Sequence, residues 1–435
     1  MVTRMTRILA RLCSALILAC GLLLADGAAA QFSFGGIRNS LIQFALKQIS
    51  VEGVFEIRAA GVEQPEDGVT DLVGVEIIDA DGVWLTAEAL SLRWNARAIL
   101  SGELDIERLA VRGLNVLRRP IPAEVTVKED AEIAQGPSRG LLDWPRSPIT
   151  LKLQELAVER AFIAAGVIAD GAAIAFDAKG SAQDAGDLQA ADLVITRTDD
   201  VTGNITLTFA RDFSDQSLKL KLNAEEDAGG IVAALIGLPD ESGAKITVDA
   251  EGPLADWRIA FDADADRVLS VAGAGKLDVT GRLDAEASVV MRPGDLLAAN
   301  YAAAIGAEAR LDVKVAETDA GLVLVETGRI VSPAIRADAA GIYDKPTGAM
   351  DFDVSLAVTE AMAALADGVD FKAAGFDGKL GGTLDDLTAA GTLRLSALST
   401  APMDLGEADL TVDVKKSGDV ISAAISGAAE GVRLD

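Results

Sequence analysis

The sequence predicts an all-β protein, an elongated and curled antiparallel sheet with an apolar groove and a few short interspersed helices. Three observations predict it. From Val51 onward apolar and polar residues alternate with period two. Gly, Asp and Asn punctuate that alternation at short intervals. The chain is 50% apolar, yet only 4% aromatic, with 42 glycines in 435 residues. Alternation gives each strand one apolar and one polar face. Frequent turn signals, such as Asp81-Gly82, Thr202-Gly203, Glu251-Gly252 and Asp367-Gly368, favour short hairpins over helical crossovers. Length alone suits two to four ordinary domains, and an elongated fold with small side chains at every layer fits the composition equally well.

The elements follow in order. Residues 1–30 have the plan of a secretory signal: Arg4, Arg7 and Arg11, then the apolar run Leu16 to Leu24, then Ala28-Ala29-Ala30 before Gln31. This is a signal peptide or a signal anchor. As an anchor the run, broken by Asp26, is short against the ~20 residues of a span. Ile17-Leu18-Ala19-Cys20 is a poor lipobox, with bulky Leu18 where a small residue is wanted. Asn39 to Leu46 reads as one amphipathic helix capped by Ser40. Residues 31–120 form an N-terminal β module. Residues 121–148 are a Pro-rich linker; with Pro120, the stretch holds five of the chain's 12 prolines.

Residues 149–435 read as repeated β modules, expected to continue beyond the chain end. Leu151 and Leu153 alternate with Lys152 and Gln154; Ile205, Leu207 and Phe209 with Thr206 and Thr208; Leu218, Leu220 and Leu222 with Lys219 and Lys221; Ile246 and Val248 with Thr247 and Asp249. Three apolar helical runs interrupt the strands, opening at Gly230, Asp295 and Glu360, at equal intervals of 65 residues. Gly252-Pro253-Leu254-Ala255-Asp256-Trp257 is echoed by Gly382-Thr383-Leu384-Asp385-Asp386-Leu387 at twice that interval. Both features point to a repeating unit of several strands and one short helix.

Composition removes whole classes of function. The chain has no histidine, and its two cysteines, Cys13 and Cys20, lie in the leader. Ser-His and Cys-His catalysis, imidazole-metal sites and disulfides in the mature chain are excluded. A net charge of −28 excludes a nucleic-acid partner. There is no Walker loop, dinucleotide fingerprint or Gly-x-Ser-x-Gly elbow. Asp262, Asp264 and Asp266 lack the Gly and Glu of a calcium loop. Paired carboxylates are expected of so acidic a chain and mark no glycosidase-like cleft. The expectation is a non-enzyme with no cofactor and no metal. An outer-membrane barrel is a weaker reading, because 4% aromatics are few for two girdles and the strand runs read at about five to eight residues against about ten.

A two-faced sheet without long helices must close, pair with another sheet, or keep a sheltered apolar groove. By pattern alone an ordinary packed core is the simpler reading. A groove would accept acyl chains. Its candidate lipid-contact residues are Leu151, Leu153, Ile205, Leu207, Leu218, Leu220, Ile246 and Val248.

The N-terminal module carries a resemblance. Val51 to Ile57, Val75 to Leu85, Leu90 to Trp94, Leu100 to Leu109 and Arg118-Arg119-Pro120 resemble the start of the TamB proteins, of the AsmA-like group. The specific part is Asp79-x-Asp81-Gly82-Val83-Trp84-Leu85 followed by Leu90-x-Leu92-x-Trp94. The match covers about residues 48 to 120. Beyond 149 it rests on the short apolar helices and on Gly252 to Trp257.

The resemblance implies a periplasmic protein of the translocation and assembly module, possessing a long curled sheet with an apolar interior groove. It implies roles in outer-membrane biogenesis, protein secretion and phospholipid transfer between inner and outer membrane. The implied partners are phospholipid acyl chains, an outer-membrane barrel protein of the TamA type, and the inner membrane if the leader is retained. Family members are usually longer and end in a domain that meets the barrel, so the chain reads as a fragment or a short paralogue. The rival expectation is an adhesin-like or structural β scaffold with a closed, dry core.

Overall fold

The computed structural model describes residues 56–63, 69–121, 150–168, 173–236, 242–278, 280, 283–297, 302, 306–318, 320–365, 369–400, 403–418 and 420–434. The leader, the helix expected at Asn39 to Leu46 and nearly all of the Pro-rich segment lie outside the described residues. The described chain is almost entirely β, as the alternation requires. Among the described residues no helix is long and apolar enough to cross a membrane. The described residues fall into two compact units, up to Ala244 and from Lys245 onward.

In the first unit β1 (Glu56–Glu63), β2 (Val69–Asp79), β3 (Gly82–Trp94) and β4 (Glu103–Arg112) form an antiparallel meander. The short β5 (Asn115–Val116) lies in line with β4, against Leu85 and Thr86 of β3. β6 (Thr150–Ile163) then pairs with β4 in parallel, Leu104 opposite Leu151 and Ile106 opposite Leu153. Antiparallel order resumes through β7 (Ile174–Ala185), β8 (Leu188–Arg197), β9 (Gly203–Asp212) and β10 (Ser217–Glu226).

The parallel pair departs from the hairpin-only expectation. Parallel neighbours need a connection of a dozen residues or more, and residues 117–149 lie between β5 and β6 in the sequence. That segment therefore joins two hydrogen-bonded strands of one unit.

Packing is tightest at the start of this unit. Ile57, Ala59, Val75 and Ala87 are buried together with Val62, Leu72 and Leu90 packed on them. These residues break strict alternation, because the inward phase shifts between Ala59 and Val62 and between Leu72 and Val75. Gly74, at φ +61°, takes the left-handed conformation beside the shift. A second cluster joins Leu92, Trp94, Leu104 and Ile106, with Leu151 and Leu153 against it.

The second unit is antiparallel throughout. Its strands are β11 (Ala244–Pro253), β12 (Trp257–Ala265), β13 (Leu269–Asp278), β14 (Asp284–Arg292), β15 (Ala309–Glu317), β16 (Leu322–Val331), β17 (Ile335–Asp344) and β18 (Met350–Thr359). After the short β19 (Val369–Asp370) come β20 (Ala373–Gly382), β21 (Asp386–Thr400), β22 (Met403–Ser417), β23 (Val420–Glu430) and β24 (Arg433–Leu434). Each long strand pairs with the next in sequence. β19 and β24 lie in line with β20 and β23, against β21 and β22.

Helical residues stand at each of the three evenly spaced runs, among them Ala302 in the second. α1 (Ile231–Ile236) is a single α-helical run, while Gly294–Leu296 and Glu360–Leu365 are 3₁₀ turns. Four strands, β11 to β14, separate the first from the second, and four more, β15 to β18, separate the second from the third. The 65-residue interval is thus four strands plus one helical turn. The echoed Gly-x-Leu-x-Asp segments both make the connection between neighbouring strands, with Gly252 at φ +137° and Gly382 at φ +102°.

Candidate functional site

Directly paired residues of neighbouring strands share a face, so the register assigns every side chain to one side of its sheet. In the first unit one row runs Leu156, Gly180, Leu193, Leu207, Leu222. A second runs Val158, Ala178, Ile195, Ile205, Ala224, and a third Leu153, Ala182, Ala191, Phe209, Leu220. These three rows are wholly apolar over five strands. Six of the eight expected contact residues, Leu151, Leu153, Ile205, Leu207, Leu218 and Leu220, lie on this one face.

Ile246 and Val248 stand on the corresponding face of the second unit. From Val248 a row passes through Phe261, Gly273, Val289, Leu311, Ile330, Ala337, Leu356, Phe376, Leu393 and Leu410 without a polar residue. Beside it lies a row of smaller residues, including Gly275, Ala287, Gly328, Ala339, Gly378 and Gly391. Aromatic rings sit close over glycines of both rows. A Cβ on Gly273 would stand 2.7 Å from the Phe261 ring, and one on Gly378 2.6 Å from the Phe376 ring.

The apolar face is open over much of its extent. Leu218 is buried at 3% exposure, whereas Leu151, Leu153, Ile205, Leu207, Leu220, Ile246 and Val248 are half-buried. On the second unit's apolar face Leu311 is 40% exposed and Ile330 45%, and on its last long strand Ile425 is 61% exposed. No large side chain among the described residues is fully buried. A dry two-sheet core buries its large residues completely, and this face does not.

The opposite face is polar. Cross-strand ion pairs decorate it: Lys152–Glu103 at 3.6 Å, Lys276–Glu286 at 3.3 Å, Lys379–Asp353 at 3.0 Å and Arg394–Asp377 at 2.6 Å. All are about half exposed or more, so each adds little stability, and their value is solubility and register. A concavity of about 1090 Å³ on this side is lined by Arg258, Lys276, Arg310 and Lys314 against Asp249, Glu251, Glu286 and Asp312. With Asp256 also on its wall, four cations there face five carboxylates.

Two polar groups interrupt the first unit's apolar face, one at each margin. At one margin Arg197 is 6% exposed and Glu226 1%, with Nη1 donating to Glu226 Oε1 at 2.9 Å. Arg197 also forks onto Asp199, Nε to Oδ1 at 2.9 Å and Nη2 to Oδ2 at 2.8 Å. Glu226 Oε2 accepts the backbone N–H of Val232 at 2.7 Å and so ties down α1. Burial disfavours the Asp199 charge, but the Arg197 fork and backbone N–H groups of Ala175 and Val201 outweigh it and hold its carboxyl below the usual range.

At the other margin the row reads Leu104, Leu151, Asp184, Gln189, Arg211, Leu218. Gln189 is 8% exposed; its Nε2 donates to Asp184 Oδ2 at 3.1 Å, and its Oε1 has no hydrogen-bond partner among the described residues. The Arg211 guanidinium lies 4.4 Å from the Phe213 ring. The sequence expectation did not include this row. The signal was present: Gln189 stands two residues before Ala191 and Arg211 two after Phe209, so both occupy the apolar phase of their strands.

No protein-family model matches the chain, and neither the curated proteins nor the solved structures contain a match.

Proposed function

We propose that the chain is a non-enzymatic periplasmic component of a translocation and assembly module. In this reading it supports outer-membrane biogenesis and protein secretion, and carries phospholipid acyl chains between inner and outer membrane along its apolar β face. The observation that carries the lipid part is the apolar face itself: in each unit it continues from strand to strand, while its large side chains stay partly open to solvent. Exposed contiguous apolar surface of this extent marks a binding surface in a protein that folds in water. The module, the barrel partner of the TamA type, the inner-membrane attachment and the address rest on the resemblance of residues 48 to 120 to the TamB proteins.

Native mass spectrometry with lipid extraction, on chain purified from a bacterial periplasm, tests the reading. Phospholipid at defined stoichiometry, lost in Leu207→Asp with the strand content unchanged, is the expected result. A folded wild-type chain without lipid would instead favour the scaffold with a dry core.

A further inference from the structure

The two polar margins of the first unit's apolar face differ in one respect. Around Arg197 the carboxylate oxygens are all engaged: Glu226 uses one oxygen on Arg197 and the other on Val232, and both Asp199 oxygens accept from Arg197. At the Asp184, Gln189, Arg211 row a nine-tenths-buried amide leaves its acceptor oxygen unused. The bond from Gln189 Nε2 to Asp184 fixes which amide atom is which. A buried acceptor with no donor is rare enough in native proteins to call for a partner.

We propose that this row is a headgroup site for a phospholipid bearing a primary ammonium, of the phosphatidylethanolamine class. It rests on the acyl-chain reading above and adds the headgroup to it. An ammonium brings three N–H donors, which suit Gln189 Oε1 and the Asp184 carboxylate. Arg211, the next residue across the sheet, supplies the positive charge for the phosphate. Directly paired residues stand about 5 Å apart, a spacing that suits the adjacent charges of one zwitterionic headgroup. The acyl chains then pass from this margin onto the next row inward, Ala182, Ala191, Phe209 and Leu220. The class is set by elimination among headgroups. A choline has no N–H to give Gln189, and a glycerol headgroup has no cation for Asp184.

The test is competitive retention on the full chain, read by native mass spectrometry, with dioleoyl phosphatidylethanolamine, phosphatidylcholine and phosphatidylglycerol offered at equal concentration. Retention of the ethanolamine lipid about tenfold above the other two is expected, the size of one hydrogen bond to a charged group. Gln189→Leu, which keeps the volume and is compatible with the apolar row, should bring the ethanolamine-to-choline ratio near one, with Asp184 still disfavouring the glycerol lipid and total bound lipid unchanged. Arg211→Gln should weaken all three lipids together. Equal retention of the three by the wild-type chain, or a preference unchanged in Gln189→Leu, would overturn the headgroup site and leave the apolar face standing. No retention of any lipid would overturn both.

Discussion

Asp79 shows how single residues set the conditions under which the first unit is stable. Its side chain is 1% exposed, accepts the Arg118 fork, and also accepts the backbone N–H groups of Asp81 at 3.0 Å and Ile121 at 2.8 Å. The hydrogen bond from Arg118, reinforced by those backbone donors, holds the carboxyl far below its usual range against the cost of burial. A carboxylate whose pKa is depressed on folding stabilises above the unfolded value of about 4 and loses that contribution as pH falls below it. The stability difference between wild type and Asp79→Asn should therefore be complete at pH 7 and shrink steadily below about pH 4, as followed by urea denaturation across pH. Glu226 belongs to the same scale. Glu226→Ala leaves Arg197 buried with only Asp199 and frees the Val232 N–H, which should cost about 3–5 kcal/mol. Hydrogen exchange should show α1 losing protection first.

Strands carry the next level. Rings laid on glycine backbone keep the second unit's apolar face smooth, and Gly378→Val would drive a side chain into the Phe376 ring. Overpacking of this kind costs about 1–3 kcal/mol, measurable as a lower denaturation midpoint. β23 presents a different case. From Val420 to Ala429 it has no charged residue, and Val420, Ile421 and Ile425 are 69%, 70% and 61% exposed. A long uncharged strand paired on one side only among the described residues templates association. Ile425→Lys should reduce self-association of the purified chain in light scattering without lowering its strand content. Much at this scale was legible from sequence. The alternation from Ile205 to Phe209 and from Leu218 to Leu222 placed those strands and their faces correctly, because a period of two has one structural meaning on a sheet. The parallel pairing of β4 with β6 was not legible, since nothing local distinguishes a crossover rich in proline from a linker. The phase shift beside Gly74 was hidden for a related reason: a bulge changes which face a residue occupies without changing the composition of the strand.

Across the molecule, strands of similar length pair in sequence, and each unit keeps one apolar and one polar side. Helical residues recur after every four strands at the 65-residue interval. The candidate contact residues were found by asking which face was apolar, and six of them do share a face. The headgroup row is not legible in the sequence, because three polar residues in three different strands form a group only through the register. The central claim is that the apolar face meets lipid while the polar face meets water. Site-specific photocrosslinking in a bacterial periplasm tests it most directly, with a benzophenone side chain placed at Leu207 or Leu220 and, as the opposite-face control, at Thr206 or Lys221. The account predicts phospholipid adducts from Leu207 and Leu220 and none from Thr206 and Lys221. Equal adducts from both faces, or protein-only adducts from Leu207 and Leu220, would contradict it.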